Sequence, residues 1–142
     1  LSMVMKLPKK NIDERIEVIK RRDAYENDHE AFIAHWQSED ATLRARIVAA
    51  RAALADLQTA DSALRRVAEL CIALGSDGLR GELTLLKAAR AFAAFAGDEA
   101  VTDEHIRKTA VLALRHRLRR DPLDESGSSS RVARTVSEIL GD

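Results

Sequence analysis

From Leu43 to Leu140 the apolar residues of this chain return every three or four positions, interrupted at intervals by glycines or capping residues. Apolar residues at that period line one side of an α-helix, whereas a half-buried strand needs strict alternation. Little is left from which a sheet could be built, and there is no internal repeat. The chain therefore reads as an all-α helical bundle. Composition agrees: 46% of residues are hydrophobic but only 4% aromatic, and alanine, leucine and arginine, all good helix formers, are abundant. A chain of 142 residues fits one domain and buries about 68–70% of its unfolded surface, enough for a core without disulfides.

Val4 to Leu7 reads as one short strand stopped by Pro8, after which Asn11 and Glu14 resemble a capping pair. The helix that follows carries Ile12, Ile16 and Ile19 on one stripe, with acids in its first turn and Lys20, Arg21 and Arg22 in its last. Tyr25 to Glu30 is polar and turn-like, and Phe32 and Trp36 stand four apart on a short helical segment. In the next helix Leu43, Ile47, Ala50, Leu54 and Leu57 form a narrow seam suited to packing along another helix, with Arg44, Arg46 and Arg51 on a solvated face. Thr59, Asp61 or Ser62 caps a helix whose inner face is Leu64, Val67, Ala68, Cys71 and Leu74, ended by Gly75.

A helix with two apolar stripes follows, Leu79-Leu83-Leu86-Ala93 and Leu85-Ala88-Phe92-Phe95, and this is expected to be the central helix, with Phe92 and Phe95 as core filler. Gly97 ends it. Thr102 caps the next, which turns Ile106, Ala110, Leu114 and Leu118 inward and ends in the basic run Arg115 to Arg120. A loop from Asp121 to Ser130 then leads to a last short helix marked by Val132, Val136 and Leu140.

The segment Gly75-Ser76-Asp77-Gly78-Leu79-Arg80-Gly81-Glu82 stops one helix and starts another with an arginine in its first turn. A helix N-terminus carries about half a positive charge, so a cation there is mildly disfavoured unless it faces an anion or a carboxylate. Two readings follow. Arg80 pairs at the surface with Asp77 or Glu82, or it joins the unpaired N–H groups and the closely approachable glycines in reading a phosphate.

Other chemistry is narrowed by what is missing. Lys+Arg and Asp+Glu are both 23, which argues against an overall footprint for nucleic acid or an anionic membrane. The basic run at Arg115 to Arg120 could meet a polyanion, but cations also suit a helix C-terminus. No glycine is followed by lysine, so the phosphate loop G-x-x-x-x-G-K-[ST] is absent and this piece alone is not expected to hydrolyse ATP. His29, His35, His105 and His116 lack metal-ligand spacing, and the carboxylates sit mainly at helix starts. Cys71 reads as a reduced core thiol. No apolar run approaches a membrane span, no secretory signal is recognisable, and a first residue of leucine suggests a piece of a longer protein.

The run CIALGSDGLRGELTLLKAARAFAAFAGDEAVTDEHIRKTAVLALRHRLRRDPLDESGSSSRVARTVSEIL closely resembles the C-terminal helical domain of the AAA+ ATPase subunit, the I subunit, of magnesium chelatases. VMKLPKKNIDERIEVIKRRDAYENDHEAFIAHW resembles the stretch that joins the last core strand to that domain. The most specific pieces are S-D-G-L-R-G-E-L-T-L-L at Ser76 to Leu86 and H-R-L-R-R-D-P-L-D-E at His116 to Glu125, the latter followed by R-V-A-R. Related MoxR-type ATPases share the glycine-arginine helix but are not expected to share the second piece.

The resemblance implies a division into 1–25, the end of the core strand and a lead-in helix, 26–58, a helical insertion centred on Asp28 to Leu57, and 59–142, the helical lid. It implies that Arg80 is the sensor-2 arginine contacting nucleotide phosphates, with Asp77, Gly78, Gly81 and Glu82 supporting that site, and that the insertion lets Arg80 serve a neighbouring subunit's nucleotide. ATP with Mg²⁺ would be the cofactor of the full-length protein, none being bound by this piece alone. Partners would be further copies in an AAA+ ring and the chelatase D and H subunits, with no nucleic acid. The activity would be ATP-driven insertion of Mg²⁺ into protoporphyrin IX, in a bacterial cytoplasm or, in a phototrophic eukaryote, the plastid stroma. The competing readings are a helical adaptor that binds partner helices through the Leu43 to Leu57 seam, and the lid of a MoxR-type ATPase.

Overall fold

A computed structural model describes residues 12–76, 78–116, 118 and 127–141. Among them are six helices, α1 (Ile12–Asn27), α2 (His29–Ala53), α3 (Asp61–Ala73), α4 (Arg80–Ala96), α5 (Asp103–Leu114) and α6 (Ser128–Leu140), and no strand beyond two isolated bridges. The all-α expectation holds. The proposed strand at Val4 to Leu7 and the Asn11 cap lie outside the described residues. The chain divides into two units, residues 1–44 and 45–142.

In the first unit the turn expected from Tyr25 to Glu30 is almost entirely helical. The Asp28 N–H still donates to the Ala24 carbonyl at 3.1 Å, while Asp28 Oδ1 accepts from the Ala31 N–H at 3.0 Å, so one residue closes α1 and caps α2. The short segment at Phe32 and Trp36 and the longer helix expected after it are therefore one 25-residue helix. Neither α1 nor α2 contains a buried residue. Ile12, Ile16 and Ile19 form the foreseen stripe but remain exposed. What orders this unit locally is aromatic: Tyr25 meets Phe32 edge-on, Phe32 adjoins Trp36, and the Arg21 guanidinium lies 4.3 Å from the Trp36 ring centre. Arg21, Phe32 and Trp36 also border a cleft of about 410 Å³.

The second unit has a continuous core. Leu70, Cys71 and Leu74 of α3 and its end, Leu85, Ala89 and Ala93 of α4, Ile106, Ala110 and Leu114 of α5, and Val132 of α6 are all fully enclosed. Helix α4 packs on α3 and α5, and α6 packs on α3 and α5. Close approach is possible because, apart from Leu85, the buried face of α4 consists of the small residues Gly81, Ala89, Ala93 and Ala94. This revises the two-stripe expectation for α4: Leu79 and Leu83 are exposed, and Phe92 and Phe95 are half-buried at the rim rather than in the core. Phe92 meets His105 edge-on, and Arg46 lies over Phe95 at 4.3 Å. Only the last part of the Leu43 to Leu57 seam packs, because Leu43 and Ile47 are exposed while Ala50 and Leu54 lie against the core and Leu57 is buried.

Helix ends follow local chemistry in most places. Gly97, at φ 87°, ends α4, and the Asp98 N–H reaches back to the Ala93 carbonyl at 3.0 Å. Thr102 closes a capping box at the start of α5, but its partner three residues on is His105 rather than an acid. The Thr102 N–H donates to His105 Nδ1 at 3.1 Å, so the ring hydrogen is on Nε2, which donates to Asp98 Oδ2 at 2.9 Å. Three expectations are corrected. No side chain caps α3, whose N-cap is Ala60; Thr59 Oγ1 instead accepts from Arg90 Nη1. Ser128 to Ser130 form the first turn of α6 rather than a loop. Leu118 lies beyond α5, half-buried against the core, and its backbone bridges to Ser76.

Candidate functional site

The turn between α3 and α4 is built mainly by backbone. Helix α3 ends in a Schellman motif: Gly75, at φ 64°, donates its N–H to the Ile72 carbonyl at 3.0 Å, and the Ser76 N–H donates to the Cys71 carbonyl at 3.0 Å. Gly78, at φ 62°, bends the chain a second time before α4 begins. Arg80 is the first residue of α4 and is exposed. Among the described residues it forms no ion pair with an acidic side chain, so the surface pair with Glu82 is not made. Asp77, the other foreseen partner, lies outside the described residues. Flanking Arg80 on the same end of α4 are Leu79, 74% exposed, and Leu83, 54% exposed, an apolar rim around a cation.

Beneath this turn the packing is tight. A Cβ on Gly81 would stand 2.5 Å from Ser76 Oγ, 3.2 Å from Ser76 Cβ and 3.6 Å from Cys71 Sγ, so glycine lets the first turn of α4 rest on the end of α3. Glu82 turns inward, with Oε2 enclosed and no hydrogen-bond partner among the described residues. Burial, and after it the Glu82 carboxylate, pushes the Cys71 thiol up to about 11. The Ser76 hydroxyl lowers it slightly through a contact that falls short of full hydrogen-bond geometry, since Ser76 Oγ is otherwise unpaired among the described residues. A protonated, enclosed thiol is a packing group, as the sequence suggested.

Two contributors were not singled out from the sequence. Arg131 Nη2, on α6, donates to the Leu74 carbonyl at 2.7 Å, and Leu118 pairs with Ser76. The R-V-A-R motif begins at Arg131, so a signal was present, but spacing alone could not say which carbonyl it meets. The basic run divides: Arg115 is the C-cap of α5, His116 is exposed, and Arg117, Arg119 and Arg120 lie outside the described residues. Among the described residues no group of three or more His, Cys, Asp or Glu could hold a metal ion, and no helix is long and apolar enough to cross a membrane.

Chemically, the end of α4 can do one thing well. An exposed guanidinium on a helix N-terminus, in no ion pair among the described residues, offers charge-assisted donors to an external anion. The model of the AAA lid domain matches residues 64–138, which span the second half of the chain and include this turn. The chain belongs to the AAA lid domain family. The chain is 60% identical over 140 residues to the magnesium-chelatase 38 kDa subunit of Cereibacter sphaeroides, a match covering 99% of the chain and 42% of that protein. It is 48% identical over 118 residues to an uncharacterised protein of Mycobacterium tuberculosis, covering 83% of the chain and 19% of that protein. In a structure of the complex between the BchI and BchD subunits of magnesium chelatase, one chain is 43% identical to the lid, with 89% of this chain and 38% of that one covered and a TM-score of 0.39. The chain thus spans less than half the length of these relatives.

Proposed function

We propose that this chain is the C-terminal lid portion of the ATPase subunit of a magnesium chelatase, which couples ATP hydrolysis to insertion of Mg²⁺ into protoporphyrin IX. The observation that carries the reading is the 60% identity to the Cereibacter sphaeroides subunit, sustained over 99% of the chain. In this reading Arg80 is the sensor-2 arginine. Its support is its position at the first residue of α4, its exposure, and the lack of an acidic partner among the described residues.

The residues present fit a phosphate. An exposed guanidinium and the α4 N-terminus favour an anion, while the left-handed Gly78 keeps side-chain bulk away from that end. ATP with Mg²⁺ would supply a phosphate charge that changes between nucleotide states. Arg80 contributes a contact whose strength depends on that charge, and a differential contact is what biases a lid between positions. Gly81 supports the site from below by seating α4 against Ser76 and Cys71, and Glu82 turns inward beside it. The nucleotide belongs to a site shared with a core that this chain does not include, in the same subunit or the next one in a ring. The D subunit, and with it the H subunit, would be the further partners, in a bacterial cytoplasm.

The test uses the full-length subunit. Arg80→Ala should leave folding intact and lower ATP hydrolysis and chelation by about 10- to 150-fold, the loss of one charge-assisted phosphate contact. Unchanged rates in both assays would remove Arg80 from the site. A second reading, the lid of another AAA+ ATPase, is favoured by the Mycobacterium tuberculosis relative, of which the match covers only 19%. Chelation assays with the D and H subunits separate the two, since a lid of another ATPase would not support metal insertion.

A further inference from the structure

We infer that Arg131 is a positioning residue for the sensing turn: from α6 it fixes where α4 begins and hence where Arg80 presents its charge. The inference rests on the reading of Arg80 given above. At the end of α3 the chain departs in the left-handed direction at Gly75, so the Leu74 carbonyl has no successor N–H along a helix. Arg131 Nη2 donates to that carbonyl at 2.7 Å, across 57 positions of sequence. A Cβ on Gly75 would come within 3.9 Å of the same nitrogen, so the guanidinium lies directly over the turn. A cation there also opposes the partial negative charge of the α3 C-terminus.

Arg131 can act as a strut because α6 is itself held. Val132, Thr135 and Val136 are buried, and at the far end Arg107 Nη2 donates to the carbonyls of Leu140 at 2.9 Å and Gly141 at 3.2 Å. The turn is thus gripped by the Schellman bonds of α3, the Ser76 bridge to Leu118, and Arg131. Of the three, only Arg131 acts through a side chain. Four residues after the Ser76 bridge comes Arg80, so a shift at Leu74 propagates into the register of α4.

The experiment measures steady-state ATP hydrolysis and thermal melting of the full-length subunit carrying Arg131→Ala, Arg131→Lys, Arg80→Ala and the Arg80→Ala/Arg131→Ala pair. Arg131→Ala is expected to lower kcat/KM for ATP by about tenfold. Arg131→Lys should recover part of the loss, because an ammonium can reach one carbonyl but lacks the planar fork. In the pair, the Arg131 substitution should add less than about twofold to the Arg80 loss, as expected when one residue acts through the other. A lowered melting temperature with kcat/KM within about twofold of wild type, or losses that multiply in the pair, would overturn the inference while leaving the sensor reading in place. An inert Arg80→Ala would overturn both. Should Arg131→Ala not fold, the Lys variant decides alone: wild-type kcat/KM in a subunit with a lowered melting temperature counts against Arg131.

Discussion

Arg90 of α4 donates from Nη2 to the Leu54 carbonyl at 2.8 Å, tying the middle of α4 to the point where the chain leaves α2. The same guanidinium gives Nη1 to Thr59 Oγ1 at 2.8 Å, so one side chain fixes both ends of the link between α2 and α3. Replacing Arg90 with alanine strands a carbonyl in a part-buried place. The expected cost is about 1.5–3 kcal/mol, read as a lower urea midpoint, whereas Thr59→Ala, which removes only one neutral acceptor, should cost about 1 kcal/mol or less. Equal costs would show that the hydroxyl, not the carbonyl, is the partner that matters.

Gly81→Ala is expected to destabilise the second unit by about 1–3 kcal/mol, because its Cβ would meet both Ser76 Oγ and Ser76 Cβ. Ser76 cannot simply retreat, since its N–H is held by Cys71 and its backbone by Leu118. Adding Ser76→Ala removes the nearer contact and should restore part of the loss. Full additivity of the two changes in denaturant titrations would contradict this packing.

Cys71 binds its proton more tightly when folded, with a pKa of about 11, than an ordinary thiol does. The sign follows from linkage: this contribution is complete below the ordinary thiol range and is lost as the pH rises through about 11. Stability of the wild-type protein should therefore fall more steeply between neutral and strongly alkaline pH than that of Cys71→Ala. At neutral pH a thiol reagent should label Cys71 only at the rate of unfolding. Rapid stoichiometric labelling of native protein would show that the thiol is neither enclosed nor raised.

Glu104, in the first turn of α5, is held below the usual carboxylate range by hydrogen bonds from Lys108 first and Arg107 second. A lowered folded-state pKa adds stability above the ordinary carboxylate range that disappears as the pH falls through and below it. Acid unfolding of Glu104→Gln should begin from a slightly less stable protein and fall less steeply. Arg107→Ala also releases the carbonyls of Leu140 and Gly141, so its expected cost of about 1–2 kcal/mol should persist at low pH. A cost that vanishes with acid would assign all of the effect to the Glu104 pair.

Features settled by neighbours along the chain were legible in the sequence. Gly75 and Gly97 end helices because each takes a left-handed conformation that costs other residues, and Thr102 starts one because its backbone and the third residue on can bond reciprocally. The inner positions Val67, Cys71, Leu85, Ile106, Ala110, Leu114 and Val132 follow from period alone. Period could not show that Leu79 and Leu83 stay outside, because an apolar stripe is the same whether or not anything covers it. Asp28 looked like a turn because an acid with polar neighbours suits one, yet it caps a helix while still closing another. For the candidate site, the place of Arg80 at the start of a helix and its neighbours along the chain were readable, and its supports from distant elements were not. Arg131 and Leu118 reach that turn through tertiary folding, and no local spacing encodes a bond across 57 positions.

The Asp98, Thr102 and His105 cluster has a consequence for how the second unit comes apart. The Asp98 backbone closes α4, its carboxylate holds the His105 ring, and that ring holds the backbone N–H of Thr102, the N-cap of α5. Neither helix end can fray without releasing a bond of the other. Helices that share their end bonds in this way open as a single cooperative block rather than two, and hydrogen exchange at Gly97, Asp98 and Thr102 should report one common opening free energy.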